Sequence, residues 1–207
     1  MQPFAPSLAA LAAALMLASP LAAQEVPVDA ATATANAALD AAPIFDGHND
    51  VPNQLRARVA NQINAFDFED TTDTGEAHPQ GAVMQTDLGR LKEGKVGAQF
   101  WSVYVPSNSD EPEAVQQVIE QIDVTKRLIA RYPDALRFAT TADQVERAMT
   151  EGKVASLLGM EGGHSIGSSL AVLRQLHALG ARYMTLTHNS NTPWADAATD
   201  TPVHGGL

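Results

Sequence analysis

From residue 43 onward the chain alternates apolar runs that end in polar residues with stretches whose apolar positions recur every three or four residues. Four apolar runs read as strands, at about 43–47, 96–105, 154–160 and 182–187, and Leu136-Arg137-Phe138-Ala139 is a short extra candidate. Between them lie amphipathic helices. Pro112 opens one in which Val115, Val118, Ile119, Ile122 and Ile129 share a stripe while Glu120, Lys126 and Arg127 lie off it. Thr141 opens a shorter one through Val145 and Met149, and Ser168 or Ser169 can cap a third whose Leu173, Leu176 and Leu179 face the sheet. Three junctions, at Glu93-Gly94-Lys95-Val96, Glu151-Gly152-Lys153-Val154 and Leu179-Gly180-Ala181, put Gly where a helix closes and an apolar run begins. A helix–Gly–strand phrase repeated three times predicts parallel strands wrapped by helices, an α/β fold.

The flanks read differently. Leu8 to Leu17 is apolar, Ser19-Pro20 breaks it, and Leu21-Ala22-Ala23 follows before Gln24, so residues 1–23 read as a signal peptide of an exported, periplasmic or secreted protein. Residues 24–42, made largely of Ala, Thr, Asp and Asn without apolar periodicity, are expected to be a flexible linker, leaving one domain at 43–207. Residues 51–80 allow at most one short helix near Val51 to Ile63. Asp67, Glu69, Asp70, Asp73 and Glu76 then crowd a stretch that lacks the spacing of a calcium loop, so it reads as a solvated excursion, with His78 at its surface.

Composition narrows the chemistry. The absence of cysteine excludes disulfides, thiolate metal ligands and a lipid-anchor cysteine. A net charge of −11 argues against nucleic acid or an anionic membrane as partner and suits a protein that binds cations. The polar residues that terminate the strands are therefore of most interest. His48 and Asp50 follow the first, Tyr104 ends the second, Glu161 the third and His188 the fourth. An imidazole and a carboxylate two residues apart project to one face of an extended chain and can share a divalent metal. A lone His-x-Asp is most often an incidental turn, but metal-competent groups at three separate parallel strand ends converge on one face if the sheet curls. Gly159, Gly162, Gly163 and Gly167 match neither nucleotide-binding glycine pattern, so Gly162-Gly163 reads as a sharp turn beside Glu161. His164 lies past that turn and reads as structural; His177 reads as a helix-surface residue.

Asp46-Gly47-His48-Asn49-Asp50, Gln99-Phe100-Trp101-Ser102-Val103-Tyr104, Met160-Glu161-Gly162-Gly163-His164-Ser165-Ile166 and the run from Tyr183 to Trp194 stand in an order that resembles the membrane (renal-type) dipeptidase family. These are the M19 metallopeptidases of the amidohydrolase superfamily, and the resemblance runs from about Pro43 to the last residue. It implies a (β/α)8 TIM-type metal-dependent hydrolase barrel with two zinc ions at the C-terminal face. Only about the first four β/α units are present, since such a barrel takes roughly 250 residues. On that pattern His48 and Asp50 match ligands of the first zinc, Glu161 the catalytic carboxylate bridging both, and His188 a catalytic histidine that contacts substrate. A metal-bridged hydroxide would attack the scissile carbonyl of a dipeptide, with His188 donating to the oxyanion. Asp46, on the strand face of His48, would orient that imidazole.

The later half of the family pattern has no counterpart here: the remaining second-zinc ligands, an Arg for the substrate carboxylate and an Asp proton donor. His204 sits in a Gly-rich tail and is not promoted to a ligand. The chain by itself is accordingly expected to be inactive, and the full-length protein is a possible homodimer. Two other readings are another binuclear amidohydrolase of the deaminase or lactonase type and a non-catalytic exported fragment. The former more often opens with His-x-His than with the His-x-Asp seen at 48–50.

Overall fold

In the computed structural model the described residues are 28–65, 67–74 and 82–206; the expected signal peptide at 1–23, Glu76 and His78 lie outside them. The first element corrects an expectation. Residues expected to form a flexible linker instead form a helix, α1 (Val28–Ala41). Alanine has the highest intrinsic helix propensity, so an Ala-rich run needs no apolar stripe to wind. The helix is held from outside, by Lys95 Nζ on Asn36 O at 3.2 Å and on Asp40 Oδ1 at 2.6 Å.

The remaining elements are β1 (Ile44–Asn49), α2 (Val51–Val59), α3 (Leu88–Glu93), β2 (Val96–Tyr104), α4 (Glu111–Arg131), β3 (Leu136–Phe138), α5 (Ala142–Thr150), β4 (Val154–Glu161), α6 (Leu170–Leu179) and β5 (Ala181–Met184). Every expected strand is present. The first runs on to Asn49, which places His48 inside the strand, and the last stops at Met184, which leaves His188 in the loop beyond it. Thr141 and Ser169 cap α5 and α6, accepting from the backbone N–H groups of Gln144 and Val172. Gly152 and Gly180 take positive φ at their junctions, but at the first it is Lys95, not Gly94, that does so. Asp67, Glu69, Asp70 and Asp73 are solvent-exposed, as expected of the excursion, which Phe68 anchors by burying its ring completely.

All five strands are parallel. The order β1-β2-β4 continues to two neighbours on one edge of β4: β3 pairs its first half (Leu136↔Val154, Phe138↔Ser156) and β5 its second (Leu158↔Ala181, Met160↔Met184). The path β1-β2-β4-β5 thus supplies the four expected barrel strands, and β3 fills the space below the short β5.

Two faces follow from the period of two. Trp101 and Val103 of β2 and Leu158 and Met160 of β4 bury against Val118, Ile122 and Leu128 of α4 and Leu176 of α6. The α4 stripe differs from expectation at one place, since Ile119 is 45% exposed while Ala114 is buried. Over a 21-residue helix, contact positions drift with the 3.6-residue period, and Ala114, Val118, Ile122, Thr125 and Ile129 follow it. On α6, Leu176 is buried but Leu179 is 37% exposed. The opposite face carries Ala98 and Phe100 on β2 and Ala155 and Leu157 on β4, clustered with Val145 and Ala148 of α5. That helix therefore closes the lower end of the face whose upper end holds Ser102 and Glu161.

Among the described residues, the outer edges of β1 and β5 have no strand partner, and Ile44 and Phe45 on β1 are 41% and 53% exposed. Open edges beside apolar side chains template further pairing. The isolated 207-residue chain is expected to self-associate, with a scattering mass that rises with concentration. A monomer mass independent of concentration would contradict this.

Candidate metal centre

The site sits where β1, β2, β4 and β5 end. His48 is the penultimate residue of β1, and the chain leaves extended geometry at Asp50, which sits at the start of α2 with φ −85° and ψ 13°. The β1–β2 pairing slips between Asp46 and Asn49. The bend brings Asp50 Oδ1 to 3.3 Å from His48 Nε2. Glu161 ends β4 directly opposite Tyr104 of β2, and its Oε2 lies 3.4 Å from the same His48 Nε2. One ligand atom each from His48, Asp50 and Glu161 fall within 4.8 Å of one another, the one such group of three or more among the described residues.

The fit to a divalent cation can be judged from the donors. An imidazole nitrogen and two carboxylates are the ligand types of zinc and related ions. Two anionic groups facing one imidazole nitrogen form an arrangement that a cation relieves. The far nitrogen of His48 is also supplied: Tyr183 OH lies 3.5 Å from Nδ1 and donates to Gly47 O at 3.3 Å. A ring whose second nitrogen meets a hydroxyl keeps its orientation for a metal. Burial raises the Tyr183 hydroxyl above its ordinary pKa, and the carboxylates of Glu161, Asp50 and Asp46 add to the shift, so the proton stays on the phenol. Asp46 does not orient the His48 ring as expected, because its Oδ1 accepts from the His48 backbone N–H at 3.1 Å.

Beneath the cluster lies an aromatic layer. Phe45 stacks on Phe100 with ring centroids 5.7 Å apart, and Phe100 meets Tyr183 at 4.9 Å. The Tyr183 ring runs over Gly159, where a Cβ would stand 2.0 Å from Cζ. Glycine at 159 is thus required by space, not by backbone angle.

His188 lies beyond β5, partly exposed, with Nε2 3.1 Å from Glu161 Oε1 and its ring edge-on to Tyr104 at 5.4 Å. Its Nδ1 is buried with no hydrogen-bond partner. Gly162, at φ +108°, makes the turn after Glu161; its N–H donates to Thr185 Oγ1 at 2.7 Å, and a Cβ there would strike the His164 ring. His164 itself is half-buried, with Nε2 3.1 Å from Val105 O; desolvation lowers its pKa despite that contact, which keeps the ring neutral. His177 is exposed on α6. His204 Nε2 contacts Thr192 O at 3.0 Å.

Two site residues escaped the sequence reading. Ser102, fully buried on β2, donates to Glu161 Oε2 at 2.7 Å, and Tyr183 reaches His48. Ser102 shares the period-two face of the strand-end Tyr104, but only the register between strands says which side chains meet across them.

The loop after His188 is closed by Asp196. Its carboxylate accepts from the backbone N–H groups of Val203 at 2.9 Å, His204 at 3.1 Å and Gly206 at 2.9 Å, with Val203 the largest of the influences that hold its pKa down at about 2.

Fold and site together define a parallel α/β barrel segment with a candidate metal centre at the C-terminal ends of its strands. A family model described as membrane dipeptidase, peptidase family M19, matches residues 32–207, and the chain belongs to that family. Among curated proteins it is 44% identical over 157 residues to Dipeptidase 3 of Mus musculus and 43% identical over 157 residues to Dipeptidase 3 of Rattus norvegicus. Each alignment covers 76% of this chain and 29% of the relative, so the chain spans less than a third of these relatives' length. Among solved structures it resembles a metallopeptidase from Rhodobacter sphaeroides liganded with a phosphinate mimic of the dipeptide L-Ala-D-Ala (TM-score 0.63, 23% identity, 74% of this chain and 48% of that one). It also resembles the probable dipeptidase PvdM from Pseudomonas aeruginosa (TM-score 0.66, 19% identity, 87% and 43%). These structures share the fold.

Two outcomes follow from this geometry. Gly159→Ala, which drives a Cβ into the Tyr183 ring, should destabilise the fold by about 1–3 kcal/mol in urea melts; unchanged stability with Tyr183 in place would contradict it. Asp196 has a depressed pKa, so the loop closure it provides is fully present above the ordinary 3.8 and is lost as pH falls through about 2. The amide signals of Val203, His204 and Gly206 should move together with that midpoint, and a midpoint near 3.8 would refute the assignment.

Proposed function

We propose that this chain forms one wall of the active site of an exported, zinc-dependent dipeptidase. The observation that carries the reading is the convergence of His48 Nε2, Asp50 Oδ1 and Glu161 Oε2 at the strand ends of a chain that belongs to the membrane dipeptidase family. His48, Asp50 and Glu161 would hold the zinc, with the Glu161 carboxylate available to be shared with a second ion. When bound, a zinc pair supplies Lewis acidity and activation of water.

The chain's own residues arrange the rest. Tyr183 keeps the His48 ring turned so that Nε2, not Nδ1, faces the carboxylates. His188, just beyond Glu161 and backed by Tyr104, is placed to donate to the peptide carbonyl oxygen as negative charge develops there. The aromatic layer of Phe45, Phe100 and Tyr183 supports the cluster from below. Export is supported by the apolar run Leu8–Leu17 followed by small residues.

The reading is tested in the full-length protein with two variants. Glu161→Gln should lower bound zinc and reduce dipeptide hydrolysis beyond the roughly 100-fold that changes outside the ligand set typically cause. His188→Ala should keep the zinc and lose about 100- to 1,000-fold in kcat. Hydrolysis that survives Glu161→Gln, or zinc that disappears with His188→Ala, would overturn the respective role.

A further inference from the structure

Glu161 has to present both oxygens in a fixed plane if it is to serve two cations, and a glutamate side chain has three rotatable bonds. Its environment shows how that freedom is removed. β2 and β4 pair without a break from Ala98↔Ala155 to Tyr104↔Glu161, so Ser102 sits opposite Gly159, on the same face as Glu161 and one pleat lower. Gly159 has no side chain to stand between them, and the Tyr183 ring occupies the space above it. Ser102 is fully buried, and its Oγ lies 2.7 Å from Glu161 Oε2. That length is ordinary for a hydroxyl donating to a carboxylate oxygen.

We infer that Ser102 is a positioning residue for the metal centre: its hydroxyl fixes the plane of the Glu161 carboxylate and assigns Oε2 to the ion held by His48 and Asp50. A carboxylate has about four lone-pair sites, two per oxygen. Ser102 takes one on Oε2, the oxygen 3.4 Å from His48 Nε2, and leaves the other available to an ion that His48 and Asp50 would hold. Oε1 is not engaged by Ser102 and faces His188 Nε2 at 3.1 Å. A serine suits the task because its single donor orients the carboxylate without adding a positive charge that would compete with the cations.

The inference rests on the metal-centre reading, and its test separates the two. In the full-length protein, Ser102→Ala and Ser102→Thr are compared with wild type for zinc affinity by chelator competition, for kcat, and for the melting temperature of the metal-free form. Ser102→Ala should weaken zinc binding by about 10- to 100-fold and lower kcat, while Ser102→Thr, which keeps the hydroxyl, restores most of the affinity. A merely structural role would lower the metal-free melting temperature and leave zinc affinity unchanged, and that pattern overturns the inference. Crystal structures of the metal-free proteins decide it independently of zinc. The Glu161 carboxylate should rotate away from its wild-type plane in Ser102→Ala and keep it in Ser102→Thr. An unmoved carboxylate in Ser102→Ala overturns the inference. A wild-type protein that takes up no zinc sinks the metal-centre reading alone, because the crystallographic comparison still judges Ser102.

Discussion

The unbroken pairing of β2 with β4 is the constraint on which the site depends. Seven consecutive residue pairs, Ala98↔Ala155 through Tyr104↔Glu161, lock the two strands in one register. A slip of one residue would turn Ser102 and Glu161 to opposite faces of the sheet, because side chains alternate with a period of two. The same register puts Trp101 and Leu158 together on the helix-covered face, where they are completely buried. Hydrophobic burial on one face therefore holds the polar constellation on the other.

The other groups of the site are brought in by departures from regularity. β1 pairs with β2 through slips, and the chain bends at Asp50, so that His48 and Asp50 can address one point although they do not continue one extended strand. β5 is only four residues long, and His188 reaches Glu161 from the loop that follows it. That loop is held by polar links to its surroundings: Gly162 N–H to Thr185 Oγ1, Ser107 to Ser190, and the Asp196 carboxylate on three backbone amides. Regular pairing places the Glu161 carboxylate, and irregular segments deliver what surrounds it.

Much of this was legible beforehand. Gly and cap residues marked the helix ends, and apolar runs marked the strands, because both signals are local in sequence. The strand-end residues His48, Asp50, Glu161 and His188 stood out for the same reason, and the structure brings them together. Local signals mislead at several positions, the exposed Leu179 and the ordinary φ of Gly94 among them. Residues 24–42 lack periodicity and read as a linker, yet the Ala-rich stretch Val28–Ala41 forms α1, which Lys95 holds to the fold. Asp46 shared a strand face with His48, but its carboxylate turned to the backbone N–H. Ile119 fell on a plausible stripe and lies outside the contact.

What the sequence by itself determined was the set of elements, their parallel α/β arrangement and the identity of the metal-competent groups, since these follow from periodicity, turn chemistry and residue type. The tertiary structure alone decided which groups touch. That Ser102 holds Glu161, that Tyr183 rather than Asp46 faces the His48 ring, and that β3 and β5 divide one edge of β4 all depend on strand register and on the space left by Gly159. The Ser102–Glu161 and His48–Tyr183 contacts join residues 59 and 135 positions apart. No local pattern encodes a separation of that kind, because it is set by the packing of the whole sheet.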